Sequence, residues 1–174
     1  MKQLILVKPD ETYMEEIRKY RQEWVDNDDH SHGDGGLYTQ TDIAAWLVNC
    51  RLYECEETKP NPAHVTCEQF MLVHKGEKRV LGMIAFRHYL NKHIAEHGGH
   101  IGYGVRPSER RKGYAKTMLT LCLEKARELG LDKVLITCDT DNKGSRKTVL
   151  ACGGQFERLA QTGDEVNERY WIKL

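Results

Sequence analysis

The feature that most limits what this chain can fold into is a basic loop between a strand and an amphipathic helix. The predicted strand ends near Val105 and the helix begins near Tyr114, with Gly113 as the only glycine of the connection. Between Arg106 and Lys116 five side chains are basic and one is acidic, although the formal net charge of the whole chain is zero. Main-chain N–H groups at a helix start lack intrahelical partners, and the helix dipole favours negative charge there. The segment therefore predicts a binding site for phosphate.

Length and composition predict one globular domain over residues 1–174. The chain has 40% apolar and 30% charged residues, which is typical of a folded globular protein rather than a disordered or membrane protein. The apolar run in residues 1–9 is too short for a signal peptide or a membrane span, so we interpret it as a first strand. We therefore expect a cytoplasmic protein with no membrane partner. Because the charges balance, we also expect no nucleic-acid partner, which normally needs a broad basic face.

The cysteine and histidine spacings predict neither disulfides nor a metal site. No two cysteines form a C-x-x-C pair, and cysteine within apolar periodic segments behaves as a small hydrophobe. His93–His97 spells the H-x-x-E-H pattern of a zinc peptidase, but such a site needs a long helix and a third ligand downstream. Since Gly98 and Gly99 interrupt any helix at once, we interpret this segment as a polar connection with no metal. The cysteines are Cys50, Cys55, Cys67, Cys122, Cys138 and Cys152.

Apolar periodicity predicts an α/β (α+β) fold with a mixed, mostly antiparallel sheet. Residues 65–74 and 79–88 are predicted to form a hairpin. The strand–helix–strand unit over residues 99–138 is expected to be a right-handed crossover with parallel strands. The remaining predicted elements are helices over 10–27 and 145–151 and strands over 156–160 and 169–174.

The ends and buried faces of two helices can also be predicted. Thr39 or Thr41 is expected to cap the second helix. Gly130 stands where the C-terminal cap of the helix after the basic loop belongs. The residues expected on the buried face of the second helix are Ile43, Trp46, Leu47 and Cys50. Those expected on the buried face of the later helix are Ala115, Met118, Leu119, Cys122, Ala126 and Leu129.

Two familiar phosphate loops do not match the basic segment. The chain contains no G-x-x-x-x-G-K-[ST] pattern. Gly102 and Gly104 could begin a G-x-G-x-x-G fingerprint, but Pro107 occupies the place of the third glycine, and the pair lies within a strand rather than after it. The predicted phosphate site is therefore neither a Walker site nor a dinucleotide fingerprint.

The pattern that does fit is [RQ]-x-x-G-x-[GA] at Arg110–Ala115, which resembles the acetyl-CoA loop of the GNAT superfamily of N-acetyltransferases. The segment Asp141–Ser145 resembles the second cofactor segment of that family, in which a small residue stands three positions after an Asn. The family normally closes this segment with Gly-Phe, from which Gly153–Phe156 departs by an inserted residue or two. The resemblance covers about residues 79–174, and the N-terminal half is consistent in layout but carries no motif.

The resemblance implies a single-domain fold in which helices cover both faces of the sheet. The sheet would have a V-shaped split between two parallel strands, which end near Arg106 and Cys138. Acetyl-CoA would bind there as the acyl donor, with its pyrophosphate at Gly113, where the missing side chain lets the backbone approach. The main chain of Val105 would pair with the pantetheine arm and polarise the thioester carbonyl, and Asn142 would reach the arm from the far side.

The residues predicted to bind acetyl-CoA contribute both main-chain amides and basic side chains. Amides of residues 111–115 would donate to the phosphates, and Arg110, Arg111 or Lys116 would add charge-assisted hydrogen bonds. The alternatives are a solvated basic turn that caps the helix and, for Asn142, an ordinary helix start. The complete set is Val105, Arg110, Arg111, Lys112, Gly113, Tyr114, Ala115, Lys116, Asn142 and Ser145.

The activity that the resemblance implies is direct transfer of acetyl from acetyl-CoA to a primary amine of a small molecule or peptide. Such a transfer needs a neutral amine, a place for the oxyanion and a proton for the leaving thiolate. His100 lies near the place where relatives carry the base and could serve near neutral pH; alternatively, it only lines the cleft. Many relatives carry a tyrosine that acts as the general acid seven residues after the Asn of the second segment, and this chain has Val149 there. Either Tyr170 substitutes for it, or the thiolate takes a solvent proton and Tyr170 is a core aromatic.

The acceptor, the assembly and a second function stay open in the sequence. The family acetylates aminoglycosides, polyamines, amino acids, and protein N-termini or lysines. Residues 28–36 contain three acids and lie where relatives gate the acceptor site, so the acids either attract a cationic amine or belong to a solvated turn. A non-catalytic acetyl-CoA-binding sensor or regulatory module is the alternative function. The last strand, 169–174, could pair across a homodimer.

Overall fold

Strands and helices alternate along most of the chain. The computed structural model describes residues 3–163 and 165–174. The strands of this described part are β1 (Leu4–Val7), β2 (Cys67–His74), β3 (Gly82–Arg87), β4 (Ile101–Val105), β5 (Lys133–Asp139), β6 (Gln155–Thr162) and β7 (Glu165–Lys173). The α-helices are α1 (Met14–Asp26), α2 (Ile43–Leu52), α3 (Lys92–His97), α4 (Tyr114–Glu128) and α5 (Lys143–Ala151).

The strands form two antiparallel sheets. The first has the order β1-β2-β3-β4 and the second the order β5-β7-β6. In the first sheet Gly82 of β3 lies opposite Val105 of β4. In the second, the register between β6 and β7 shifts between Phe156 and Arg158, which is a bulge close to the place where the sequence departs from the family's Gly-Phe spacing.

β4 and β5 meet at one end and separate toward the other. The main-chain N–H of His100, just before β4, donates to the carbonyl oxygen of Leu135 in β5 at 2.7 Å. Within the described residues no strand ladder joins β4 to β5. Further along β4, the Tyr103 hydroxyl lies 3.0 Å from the Oγ of Ser145, in the helix that follows β5. Successive contacts therefore occur in the same order along β4 and along β5 with its following helix, as expected for parallel strands. The predicted mixed fold with a V-shaped split is confirmed.

Helices cover both faces of the first sheet. Met118 of α4 is fully buried in one apolar cluster, together with Ile84 of β3. Tyr20 of α1 and Trp46 of α2 are buried in a second cluster, together with Met83 of β3. Successive strand residues point to opposite faces. Because Met83 and Ile84 belong to different clusters, α4 and the α1–α2 pair lie on opposite sides of the sheet.

Most predicted helix faces and ends are confirmed, and two are wrong. Gly130 ends α4 with a φ of +86°, as predicted. Leu129 is 48% exposed instead of buried, because it follows the last residue of α4 at the point where the chain turns. The cap of α2 is Asp42 rather than Thr39 or Thr41, since its carboxylate accepts a hydrogen bond from the Ala45 N–H at 3.1 Å.

The connection between β3 and β4 contains the short helix α3, where the sequence predicted only a polar connection. The Asn91 side chain accepts a hydrogen bond from the Ile94 N–H at 2.9 Å and so caps this helix. Gly98 follows the last residue of the helix, which is six residues long. A local cap can start such a helix without the apolar periodicity on which the sequence prediction relies.

The described residues also bear on metal binding and membrane crossing. Nowhere in ranges 3–163 and 165–174 do three or more His, Cys, Asp or Glu side chains cluster in a way that could hold a metal ion. None of the helices in those ranges combines the length and the apolar composition that crossing a membrane requires. The six cysteines are free thiols.

Candidate active site

The main chain at the start of α4 leaves N–H groups without intrahelical partners. Gly113, the residue before the helix, has a φ of +84°, and Arg111 has a φ of +66°. A left-handed conformation at Arg111 is uncommon for a residue with a side chain, and it turns the loop sharply. The first backbone hydrogen bond of the helix runs from the Thr117 N–H to the Gly113 carbonyl oxygen at 3.2 Å. The amides of Tyr114 and Ala115 precede that bond and are available to a ligand.

One of the five basic side chains in this segment has a structural role. Arg106 is only 4% exposed and forms ion pairs with Glu16 and with Glu23, the latter at 2.5 Å. Glu23 also accepts a hydrogen bond from the Ser108 N–H at 2.7 Å. Arg106 therefore fixes the base of the loop to α1 and does not face a ligand.

Two more basic side chains are paired, and two form no ion pair within the described residues. Arg110 pairs with Asp29 at 2.6 Å and Lys112 with Glu109 at 2.8 Å. The Arg110 guanidinium also lies 4.8 Å from the ring centre of Trp24. Within the described residues, Arg111 and Lys116 form no ion pair. Both are exposed, and they are the uncommitted positive charges at the start of α4.

The main chain of β4 presents hydrogen-bonding groups to the split. The hydrogen bonds between the β4 segment and the β3 segment are made by even-numbered residues on the β4 side. The Arg87 N–H donates to the His100 oxygen at 2.7 Å, and the Arg106 N–H donates to the Leu81 oxygen at 2.9 Å. Main-chain groups of alternate residues point to opposite edges of a strand. The N–H of Val105 therefore faces the opening, as the sequence prediction of a pantetheine contact requires.

The second predicted cofactor segment forms the start of α5. The Asn142 side-chain oxygen accepts a hydrogen bond from the Ser145 N–H at 3.0 Å, which is an ordinary helix cap. Its side-chain N–H₂ group keeps its capacity to donate. Ser145 Oγ lies against the Tyr103 hydroxyl, so this segment contacts the opposite wall of the split.

Tyr103 is the site residue that the sequence reasoning missed. Its ring extends from β4 to α5, and burial raises the pKa of its hydroxyl to about 12. At neutral pH the hydroxyl therefore keeps its proton and can donate a hydrogen bond. The signal was available in the sequence, because Tyr103 stands two residues before Val105 and so lies on the same side of β4.

His100 closes the split and is poorly placed to act as a base. Its Nδ1 accepts a hydrogen bond from the Leu135 N–H at 2.9 Å. Burial is the main cause that lowers its pKa to about 4, and the nearby Arg87 adds to the shift. With Nδ1 occupied as an acceptor, the neutral ring carries its proton on Nε2 and has no free lone pair. The structure therefore favours the alternative in which His100 only lines the cleft, at its closed end.

Tyr170, the predicted general acid, is tied to a neighbouring carboxylate. It is 3% exposed, and its hydroxyl donates to Glu168 Oε2 at 2.8 Å. Burial, followed by this hydrogen bond, raises the pKa of the hydroxyl to about 12. Arg146 holds the same carboxylate through its Nε at 2.7 Å. The geometry therefore favours the core-aromatic alternative for Tyr170.

The loop at residues 28–36 lies directly on β4. A Cβ added at Gly33 would stand 2.0 Å from the Gly102 carbonyl oxygen, so only glycine fits there. Two of the three acids of this loop, Asp29 and Asp34, are engaged by partners rather than free for a cationic amine. Asp29 pairs with Arg110, and Asp34 is buried and accepts hydrogen bonds from the N–H groups of Gly36 and Tyr38 at 2.9 and 2.8 Å.

The fold and this site together define a class of protein in which a split sheet lies beside a helix start with N–H groups free to bind a ligand. The family model described as the acetyltransferase (GNAT) domain matches residues 3–155. The chain belongs to the GNAT acetyltransferase family. The predicted resemblance is thereby confirmed, and the protein is an acyltransferase. No curated protein matches the sequence.

Solved structures share the fold at low sequence identity. The microcin C7 self-immunity acetyltransferase MccE, in complex with acetyl-CoA and AMP, is 17% identical, with a TM-score of 0.73 over 98% of this chain and 92% of that one. Mycobacterium smegmatis RimJ, in complex with CoA-disulfide, is 16% identical, with a TM-score of 0.72 over 98% and 81%. RimL, a ribosomal L7/L12 α-N-protein acetyltransferase in complex with coenzyme A, is 14% identical, with a TM-score of 0.72 over 98% and 94%.

Proposed function

We propose that the protein transfers acetyl from acetyl-CoA to a primary amine of a small molecule or peptide. The observation that carries this proposal is the start of α4 at the open end of the split, where amides are free and, within the described residues, Arg111 and Lys116 form no ion pair. They would bind the pyrophosphate, and the pantetheine arm would extend along β4 past the Val105 N–H. Acetyl-CoA is bound by MccE, which has the same fold, and this supports the proposed donor.

The transfer needs no covalent intermediate on the protein. The amine nitrogen attacks the thioester carbonyl carbon, the carbon–sulfur bond breaks, and the sulfur leaves as a thiolate. A main-chain N–H of β4 would stabilise the oxyanion, because these groups already face the split. The amine gives its proton to water rather than to His100, whose ring nitrogen is occupied.

Tyr103 is proposed as the group that assists the leaving thiolate. Its hydroxyl stands in the split, retains its proton at neutral pH, and is held by Ser145. A hydrogen bond from this hydroxyl would stabilise negative charge on sulfur, and the thiolate would then take its proton from solvent. Tyr170 is the rival donor from the sequence, but its hydroxyl already donates to Glu168.

The test is turnover of acetyl-CoA with a panel of primary amines, followed as release of free thiol and as acetylated product by mass spectrometry. We expect stoichiometric thiol and acetylamine. If acetyl-CoA binds and no amine in the panel is modified, the non-catalytic sensor replaces this proposal. If acetyl-CoA does not bind, both fail. The cytoplasmic location, the homodimer, and the absence of nucleic-acid and membrane partners stay predictions of the sequence.

A further inference from the structure

A second cavity lies beside the closed end of the split and has no part in acetyl-CoA binding as proposed. It measures ≈ 630 Å³ and lies between α2, the paired strands β2 and β3, and α3. A volume of this size suits a small organic molecule. Its polar lining includes Asn49, Tyr53, His64, Arg87 and His93.

The positive charge in this cavity comes from Arg87, which has no carboxylate partner within the described residues. No Asp or Glu lines the cavity among the described residues. Arg87 donates from Nη1 to the Gly99 carbonyl oxygen at 2.9 Å, and it forms no ion pair within the described part of the chain. The neighbouring Glu68 is already held by Lys8 at 2.9 Å and by His88 at 3.2 Å. A guanidinium has five donors, so Arg87 keeps the pair that a ligand carboxylate would bind.

The cavity adjoins the place where the acetyl group would lie. The main-chain N–H of Arg87 donates to the His100 oxygen, and its side chain bonds Gly99, so this arginine borders the residue that closes the split. An arm that enters at the open end beside α4 points its acyl end toward His100. Gly35 of the cavity wall belongs to the same loop whose Gly33 lies on β4. A molecule in the cavity would therefore lie at the closed end of the split, toward which the acyl end of acetyl-CoA points.

We infer that this cavity binds the acceptor and that Arg87 holds a carboxylate of it. The acceptor class is an amine that carries a carboxylate close by, as an amino acid does. A polyamine or an aminoglycoside would bring several positive charges beside an uncompensated guanidinium. This inference rests on the proposed acetyl transfer and adds the chemical class of its substrate.

The experiment compares acceptors at saturating acetyl-CoA with the full-length protein. The panel is a set of L-amino acids, the matching amino acid amides, spermidine and kanamycin. We expect acetylation of amino acids, with kcat/KM roughly 10–100-fold lower for the amides, since a charge-assisted hydrogen-bond pair is lost. Faster turnover of spermidine or kanamycin than of any amino acid would overturn the inference.

Variants separate the role of Arg87 from its contribution to the fold. Arg87→Gln should raise KM for the preferred amino acid by at least about tenfold, with kcat within about threefold and KM for the amide unchanged. Arg87→Lys keeps the charge and should recover part of the affinity. Arg51→Gln removes an equal charge from the exposed face of α2, where Arg51 pairs with Glu11, and should leave both KM values unchanged.

Acetyl-CoA binding by wild type and by Arg87→Gln distinguishes a failure of this inference from a failure of the proposed function. The dissociation constant for acetyl-CoA, measured by calorimetry, should be the same for wild type and Arg87→Gln. If it is the same and KM for the amino acid is also unchanged, Arg87 does not bind the acceptor and the inference is wrong. If wild type binds no acetyl-CoA, the proposed function itself fails, independently of the cavity.

Discussion

The imidazole Nδ1 of His100 accepts a hydrogen bond from the Leu135 N–H at 2.9 Å, while the His100 N–H donates to the Leu135 oxygen at 2.7 Å. One histidine thus satisfies both main-chain groups of a residue in the neighbouring strand. These two bonds join β4 and β5 where the split closes, and the strands separate beyond them. The arrangement requires a neutral ring, because protonation of Nδ1 would remove the acceptor.

This relationship predicts a loss of stability in mild acid. The pKa of His100 is lowered from 6.5 to about 4, so the unfolded state binds the proton first. The free energy of unfolding should therefore be constant above about pH 6.5 and fall by up to about 3 kcal/mol as the pH drops to 4. Urea unfolding across that range measures it. His100→Asn, which keeps an acceptor but does not titrate, should flatten the dependence; an unchanged curve would contradict the assignment.

The hydrogen-bonded pair of His88 and Glu68 should cause a second loss of stability, in a lower pH range. The hydrogen bond from His88 at 3.2 Å, assisted by Lys8, lowers the pKa of Glu68 from 4.5 to about 2. A depressed carboxylate pKa stabilises the fold above the unfolded value, and the contribution is lost as the pH falls from about 4.5 to 2. Glu68→Gln should reduce the slope of unfolding free energy in that window and leave the slope between pH 5 and 6.5 as in wild type. An equal change in both windows would be inconsistent with separate titrations.

The two tyrosines near the split should differ in their effect on rate. Tyr103→Phe removes the hydroxyl that stands between β4 and α5, and we expect kcat to fall roughly 10–100-fold, since one transition-state hydrogen bond to charge is lost. Tyr170→Phe is the matched control, and it should change kcat by less than about threefold. Steady-state kinetics with binding of acetyl-CoA measured separately distinguish rate from affinity. The reverse pattern would assign the role to Tyr170.

Arg111 and Lys112, which are neighbours in the basic loop, should differ in how much they contribute to acetyl-CoA binding. Arg111 is free of ion pairs in the described residues, whereas Lys112 is paired with Glu109. Arg111→Gln should weaken acetyl-CoA binding about tenfold and reduce its dependence on salt, because a charge-assisted phosphate contact is removed. Lys112→Gln removes the same charge one residue later and should cost less than about threefold. Equal losses for both variants would mean that only the net charge of the loop matters.

The sequence was sufficient for the fold and for the position of the helix start after the basic loop, because both depend on local signals. Gly113 before an amphipathic helix, and the basic residues around it, identify the helix start without knowledge of distant parts of the chain. The roles of individual cations depend on partners far away in sequence. Arg106 is fixed by Glu16 and Glu23, which lie 90 and 83 residues earlier. No local pattern reveals such pairs.

The contacts of the two predicted catalytic residues, His100 and Tyr170, were less predictable for the same reason. The role of His100 depends on Leu135, 35 residues later, whose N–H occupies the imidazole lone pair. The hydroxyl of Tyr170 is committed to a carboxylate two residues away, on the same strand. That contact is short-range, but the sequence predicted the strand only from residue 169. Because β7 begins at Glu165, Glu168 lies within the strand, and residues two apart share one face of it.

Acetyl-CoA binding to two matched glycine variants tests the central claim most directly. Gly113 and Gly130 flank α4 with φ values of +84° and +86°, and an added Cβ would have no neighbour within 4 Å at either position. Alanine should therefore cost each variant a similar strain, about 1 kcal/mol of unfolding free energy. In titration calorimetry, Gly113→Ala should lose at least about tenfold in affinity for acetyl-CoA, because the methyl group blocks the approach of the pyrophosphate, and Gly130→Ala should bind as wild type does. Equal affinity in all three proteins would contradict a phosphate site at the start of α4.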